Sequence, residues 1–126
     1  MVNMKILLID DEPDILLHMT RALQMQGHIC DTFSDPVAAL SMVGENQYDV
    51  AISDVVMPVM NGFAVAAEIN LVSPQTRVIL VSGHLTQAME EMAGEGSPVI
   101  CMKKPIDVRA LKMVLDNICE NKSAGI

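Results

Sequence analysis

A chain of 126 residues with 51% hydrophobic residues is sized for one domain, and folding buries roughly two thirds of its unfolded surface. Its net charge of −8 excludes direct nucleic-acid binding by this domain, which needs a basic face, and suits a cation or a basic partner. No apolar run approaches the ~20 residues of a membrane helix and the start, Met1-Val2-Asn3-Met4-Lys5, has no apolar signal region, so a cytoplasmic protein that stays off membranes is expected.

Ile6-Leu7-Leu8-Ile9 is a continuous apolar run, the first strand, and it stops at Asp10-Asp11-Glu12. Pro13 opens a helix, where a missing N–H costs nothing. Ile15, Leu16, Met19, Ala22 and Leu23 recur at helical spacing, and Gly27 ends that helix. The second strand, Ile29-Cys30-Asp31-Thr32-Phe33, carries a charge at its middle, which suits a sheet edge. Asp35-Pro36 caps a short helix with Val37, Leu40 and Val43-Gly44. Val50-Ala51-Ile52 is the third strand and leads to Asp54, with Pro58 and Gly62 punctuating the turn beyond. The third helix has Phe63, Ala66, Ala67 and Ile69 as its apolar side, and Ser73-Pro74 ends the segment. Val78-Ile79-Leu80-Val81 forms the fourth strand and ends at Ser82-Gly83. A fourth helix spans Leu85 to Ala93 and runs into the loop Gly94-Glu95-Gly96-Ser97-Pro98. Val99-Ile100-Cys101-Met102 is the fifth strand, followed by Lys103-Lys104-Pro105. Asp107 caps the last helix, whose stripe is Leu111, Val114, Leu115 and Ile118. The domain is read as 1–120, with 121–126 as a frayed tail.

Strands alternating with helices predict an α/β protein with a parallel sheet covered on both faces. Ligands of such sheets bind outside the carboxyl ends of the strands. Here those ends carry Asp10-Asp11, Asp54, Ser82 and Lys104. Carboxylates brought together repel, and a hard divalent cation relieves them. Magnesium takes oxygen ligands, typically one or two carboxylates plus phosphate, so Mg2+ is the expected cofactor. An acidic cluster with one hydroxyl and one lysine is a phosphoryl-handling constellation, where catalysis is mostly positioning and charge stabilisation. An aspartate-dependent phosphohydrolase of the haloacid-dehalogenase type would instead place Asp-x-Asp after the first strand; the adjacent Asp10-Asp11 does not fit that pattern.

Ile9-Asp10-Asp11-Glu12-Pro13, Asp54-Val55-Val56-Met57-Pro58 with Gly62, Ser82-Gly83 and Lys104-Pro105 stand in the order found in receiver domains of two-component response regulators, and the chain resembles that family over essentially its whole length. The resemblance implies a CheY-like, flavodoxin-like doubly wound (βα)5 fold with five parallel strands in the order 2-1-3-4-5. It implies a signalling switch rather than an enzyme, with at most self-catalysed phosphoryl transfer and autodephosphorylation. Asp54 would accept a phosphoryl group from a sensor histidine kinase or phosphotransfer protein, helped by Lys104 and Ser82. Asp10, Asp11, Asp54 and the backbone carbonyl of Val56 would hold magnesium. Lys104 rather than Lys103 takes the family's lysine position because it precedes Pro105, in a peptide bond that the family makes cis. Phosphorylation would alter the face made by the fourth helix, fifth strand and fifth helix, and so control an output domain or effector protein.

One position departs from the family: Cys101 stands where an aromatic residue usually turns inward to report phosphorylation. The switch residues are therefore read as Ser82 and Cys101, with the signal running through the Ser82 loop and the helix 85–93. Val56 and His84 occupy positions that vary in the family and tune dephosphorylation. Cys30, Cys101 and Cys119 form no Cys-x-x-Cys and are read as small reduced core residues. His18 is expected on the surface and His28 in a turn; His84 has no second His or Cys at ligand spacing for zinc. The eleven methionines are expected to fill core, with Met57, Met60, Met89 and Met92 near the surface that changes.

Overall fold

The computed structural model describes residues 3–94 and 97–124, the last four without their side chains. Glu95 and Gly96 of the expected loop, and the end of the expected tail, lie outside the described residues. The elements are β1 (Lys5–Ile9), α1 (Pro13–Met25), β2 (Ile29–Phe33), α2 (Pro36–Val43), β3 (Val50–Asp54), α3 (Gly62–Val72), β4 (Arg77–Ser82), α4 (Gln87–Met92), β5 (Val99–Lys103) and α5 (Val108–Ala124). The strands form one sheet in the order β2-β1-β3-β4-β5, and every pair is parallel.

Strand alternation divides the apolar side chains between two cores. Ile6, Leu8, Ile52, Ile79 and Val81 face Met19 and Leu23 of α1 and Leu111, Leu115 and Ile118 of α5. Leu7, Ile9, Ala51 and Leu80 face Ala39, Val65, Ile69 and Met89 of α2, α3 and α4. With both faces covered, β3 is buried at every residue, whereas β2 at the edge has none fully buried. The charge in β2 is thereby explained: Asp31 accepts a hydrogen bond from the Tyr48 hydroxyl at 2.7 Å.

Helix starts follow their caps. Asp35 accepts from the Val37 N–H at 3.0 Å, and Asp107 from the Arg109 N–H at 2.9 Å, both as expected. Asn61 caps α3 through the Ala64 N–H at 3.0 Å. That sets Gly62, Val65, Ala66 and Ile69 inward and turns Ala67 out, so Val65 replaces Ala67 on the apolar side. Thr86 caps α4 by accepting from the Met89 N–H at 3.2 Å. Leu85 consequently precedes the helix, and Ala93 is its C-cap, which shortens the expected 85–93 element to six residues. The backbone stays helical to Ala124, past Asn121 where fraying was expected.

Other expectations also change in three dimensions. Met57 and Met89 are core residues, Met60 is half-buried, and Met92 is exposed. His18 is exposed, but His28 is buried, its Nδ1 accepting the Met4 N–H at 3.1 Å. All three cysteines are free and half-buried rather than fully enclosed. Among the described residues no helix is long and apolar enough to cross a membrane.

Candidate functional site

Adjacent strands β1 and β3 deliver Asp10 and Asp54 to the carboxyl end of the sheet. Both are nearly enclosed, at 5% and 6% exposure. The Asp10 Oδ1 accepts the Glu12 N–H at 2.9 Å, which turns the chain from β1 into α1. The Asp54 Oδ1 accepts the Val56 N–H at 3.3 Å. Gly62 closes the loop that follows: its N–H donates to the Val55 carbonyl at 2.9 Å. A side chain there would meet the Asp54 carbonyl and lie 2.9 Å from the Val55 Cα, so only glycine lets α3 start this close to the site.

Lys104 enters from beyond β5, on a cis Lys104–Pro105 peptide bond. Its N–H donates to the Ser82 carbonyl at 2.8 Å, fixing the loop to the end of β4. The ammonium then reaches across to three carboxylates, 2.9 Å from Asp54 Oδ2, 3.4 Å from Asp10 Oδ2 and 3.9 Å from Glu12 Oε1. Lys103 is exposed. Burial alone would lower the Lys104 pKa, but the hydrogen bond to Asp54 and the charges of Asp10 and Asp54 outweigh it and hold it above its usual value. Burial raises the Asp10 carboxyl above its usual range, against the Glu12 N–H and the Lys104 charge.

Asp10, Asp11, Glu12 and Asp54 each offer a carboxylate oxygen, all within 4.8 Å of one another. Asp11 and Glu12 are exposed at the mouth and Asp10 and Asp54 lie below. The donor set is all oxygen and strongly negative, which suits a hard divalent cation. Glu12, the third acid of its run, joins the expected Asp10, Asp11 and Asp54 in this group.

Ser82 ends β4 beside this cluster, with its hydroxyl engaged elsewhere. It donates to the His84 carbonyl at 3.1 Å and accepts the His84 N–H at 3.2 Å. The Val56 side chain is exposed. Cys101 lies outside the acidic group, its thiol donating to the Met89 carbonyl of α4 at 3.5 Å. Burial pushes that thiol's pKa up, so it is held as the uncharged form.

A parallel sheet in this order, with an acidic pocket at its carboxyl end and a lysine reaching in from the last loop, defines a class. The chain belongs to the response regulator receiver domain family, whose model matches residues 6–116. A response regulator receiver domain protein from Clostridium thermocellum is 31% identical with a TM-score of 0.86, over 98% of this chain and 99% of that one. The sensor histidine kinase RcsC of Salmonella typhi is 30% identical over 113 residues, and the DNA-binding transcriptional regulator NtrC of Azospirillum brasilense 32% over 111. Those alignments cover 90% and 88% of this chain but only 12% and 23% of the two relatives. Membership places the chain in two-component signalling.

Proposed function

We propose that the chain is a phosphorylation-dependent switch that accepts a phosphoryl group on Asp54 from a sensor histidine kinase or phosphotransfer protein. The observation that carries this reading is the convergence of Lys104 on Asp54 and Asp10, at 2.9 and 3.4 Å, inside a group of four carboxylates. An Asp54 oxygen would attack phosphorus while the bond to the donor's imidazole nitrogen breaks and the imidazole leaves. Lys104, 2.9 Å from Asp54, would balance charge on the transferred oxygens. Asp10, Asp11, Asp54 and the Val56 carbonyl would hold magnesium. Bound there, magnesium would supply positive charge shared between carboxylate and phosphoryl oxygens. The chain acts as substrate and switch rather than as an enzyme with turnover, apart from loss of its own phosphoryl group.

Ser82 would be the residue that senses the product. To donate to a phosphoryl oxygen its hydroxyl must give up the bond it donates to the His84 carbonyl. That loosens the segment leading to α4, a six-residue helix whose buried residue is Met89. Cys101 holds the carbonyl of that same residue. Thus Ser82, through the His84 loop, and Cys101, through Met89, would both act on α4, and the α4-β5-α5 face would carry the change to an output domain or effector. Residues 1–120 form the receiver in this reading, 121–126 its tail, and the cytoplasm is where its kinase would find it.

Intact-mass measurement with a small-molecule phosphodonor and magnesium tests this. One added phosphoryl group is expected, and none in Asp54→Asn. Full labelling of that variant would overturn the assignment.

A further inference from the structure

Of the three histidines only His28 is buried, at 8% exposure, and the proposed switch makes no use of it. It stands between the end of α1 and the start of β2. Its backbone N–H donates to the Leu23 carbonyl at 3.1 Å, which ties it to α1. Its ring Nδ1 accepts the Met4 N–H at 3.1 Å, and the Met4 carbonyl accepts the Ile29 N–H at 3.0 Å. Met4 is thus held through both of its backbone groups, once by the His28 ring and once by the residue after it. It is 3% exposed and belongs to the same core as Ile6, Leu23 and Leu115, so three elements and α5 meet at this point.

Only one form of the ring can make this bond. A neutral imidazole carries one proton, and an Nδ1 that accepts leaves that proton on Nε2. A second proton must go to Nδ1, where it would point at the Met4 N–H. Two donors then face each other, and a buried backbone N–H loses its acceptor. Among the described residues three charged groups act on the ring. Burial, the largest influence, holds its pKa below 6.5; Asp116 of α5 and Asp49 ahead of β3 pull it up, and Lys112 of α5 pushes it down. Both acids are already engaged: Asp116 pairs with Lys112 at 2.7 Å, and Asp49 accepts the Lys5 N–H at 2.9 Å. A ring released from the fold takes its proton at 6.5, and the folded ring only at lower pH. The stability it contributes is therefore complete above pH 6.5 and is lost as the pH falls through the folded value.

We propose that His28 is an acid-opened clasp, which while neutral pins Met4, at the entry to β1, to the turn between α1 and β2, and on protonation releases it and loosens the amino end of the sheet. The acidic pocket lies at the other end, so the clasp acts on local order and not on the chemistry of Asp54. It depends on neither the phosphoryl nor the cation reading.

The test is NMR on the whole nitrogen-15-labelled chain between pH 7.5 and pH 5.5. Ring nitrogen correlations should show His28 with its proton on Nε2 alone at pH 7.5, and a ring that titrates below 6.5. Amide exchange, corrected for its intrinsic pH dependence, should quicken several-fold at Met4 and Ile29 toward pH 5.5. The ceiling is about tenfold, reached if the ring takes its proton only once the clasp is open. The Val55 N–H, bonded to the Val81 carbonyl at the carboxyl end, should keep its protection. His28→Asn substitutes a side chain that does not titrate and whose oxygen can accept the Met4 N–H, so it should abolish the pH dependence. His18→Gln, at an exposed histidine, should leave it intact. An Nδ1–H tautomer at pH 7.5, a ring titrating at or above 6.5, or equal quickening at Val55 overturns the proposal. So does a pH dependence that survives in His28→Asn. Should that variant not fold, the tautomer and the ring titration of the unsubstituted chain decide alone.

Discussion

Two polar clusters occupy opposite ends of the same sheet, and they are built on different principles. At the amino ends of the strands the Tyr48 hydroxyl donates to Asp31, and the Tyr48 carbonyl accepts from Thr76 at 2.7 Å. Thr76 shares a second bond with Ser73 at 2.7 Å. Lys5 donates to Asn46 at 3.0 Å and lies 5.1 Å from the Tyr48 ring centre, while its N–H donates to Asp49 at 2.9 Å. Donors there meet acceptors within the chain, and the cluster ties the starts of β1 and β3 and the approach to β4. At the carboxyl ends one ammonium faces three carboxylates, with a fourth beside them. Both ends hold buried polar groups. The first is closed within the chain; the second is left with surplus negative charge, as the proposed cation and phosphoryl site requires.

The contrast predicts opposite signs for neutral substitutions at the two ends. Tyr48→Phe should have the largest effect, because it strips the partner from Asp31 and leaves the ring packing unchanged. A loss of about 1–2 kcal/mol is expected in urea unfolding, with phosphorylation stoichiometry unaltered. A neutral result would mean that the amino-end cluster does not hold the strands.

Asp10→Asn should act the other way. Burial, the largest influence, holds the Asp10 carboxyl above 3.8. The folded chain therefore binds this proton more tightly than the unfolded chain does, so ionised Asp10 costs stability. The cost is absent below pH 3.8 and grows as pH rises through the folded value. Asn retains an oxygen for the Glu12 N–H, so the variant should melt a few degrees higher at pH 7, on a scale where ~1 kcal/mol is about 4 °C. That gain should shrink as the pH is lowered toward 3.8. A lower melting temperature at pH 7 would show that the pairing with Lys104 outweighs the burial.

Val59 should give the smallest effect. It is β-branched, 89% exposed, and held at φ 73° in the loop after Asp54. That left-handed conformation disfavours valine and tolerates asparagine. Val59→Asn should stabilise by about 0.5–1 kcal/mol in the same unfolding assay. No gain would remove backbone strain from the features that distinguish the carboxyl end.

The sheet was legible because two-sided burial writes strands as short apolar runs, and the β2 edge because Asp31 interrupts one. Asp10, Asp54 and Lys104 were legible as a group because each directly follows such a run, and strand ends converge in a parallel sheet. Finer features depend on single hydrogen bonds that no period reveals. The Thr86 cap moved Leu85 out of α4, and the Asn61 cap set which of Val65 and Ala67 faces in. His28 lies in the turn between α1 and β2 as expected, but its burial was not legible because its partner, the Met4 N–H, is distant in sequence. The bonds between Ser82 and His84, and the thiol of Cys101 on Met89, appear only once the backbone is in place.

The account turns on a signal confined to the carboxyl end and leaving through α4. Backbone amide shifts, recorded with magnesium before and after beryllium fluoride is added as a phosphoryl mimic, test this most directly. The account predicts changes at residues 10–12, 54–62 and 82–94 and at Cys101 and Lys104, with Lys5, Tyr48 and Thr76 unmoved. Silence across residues 83–94, or shifts of equal size at Tyr48 and Thr76, would contradict it.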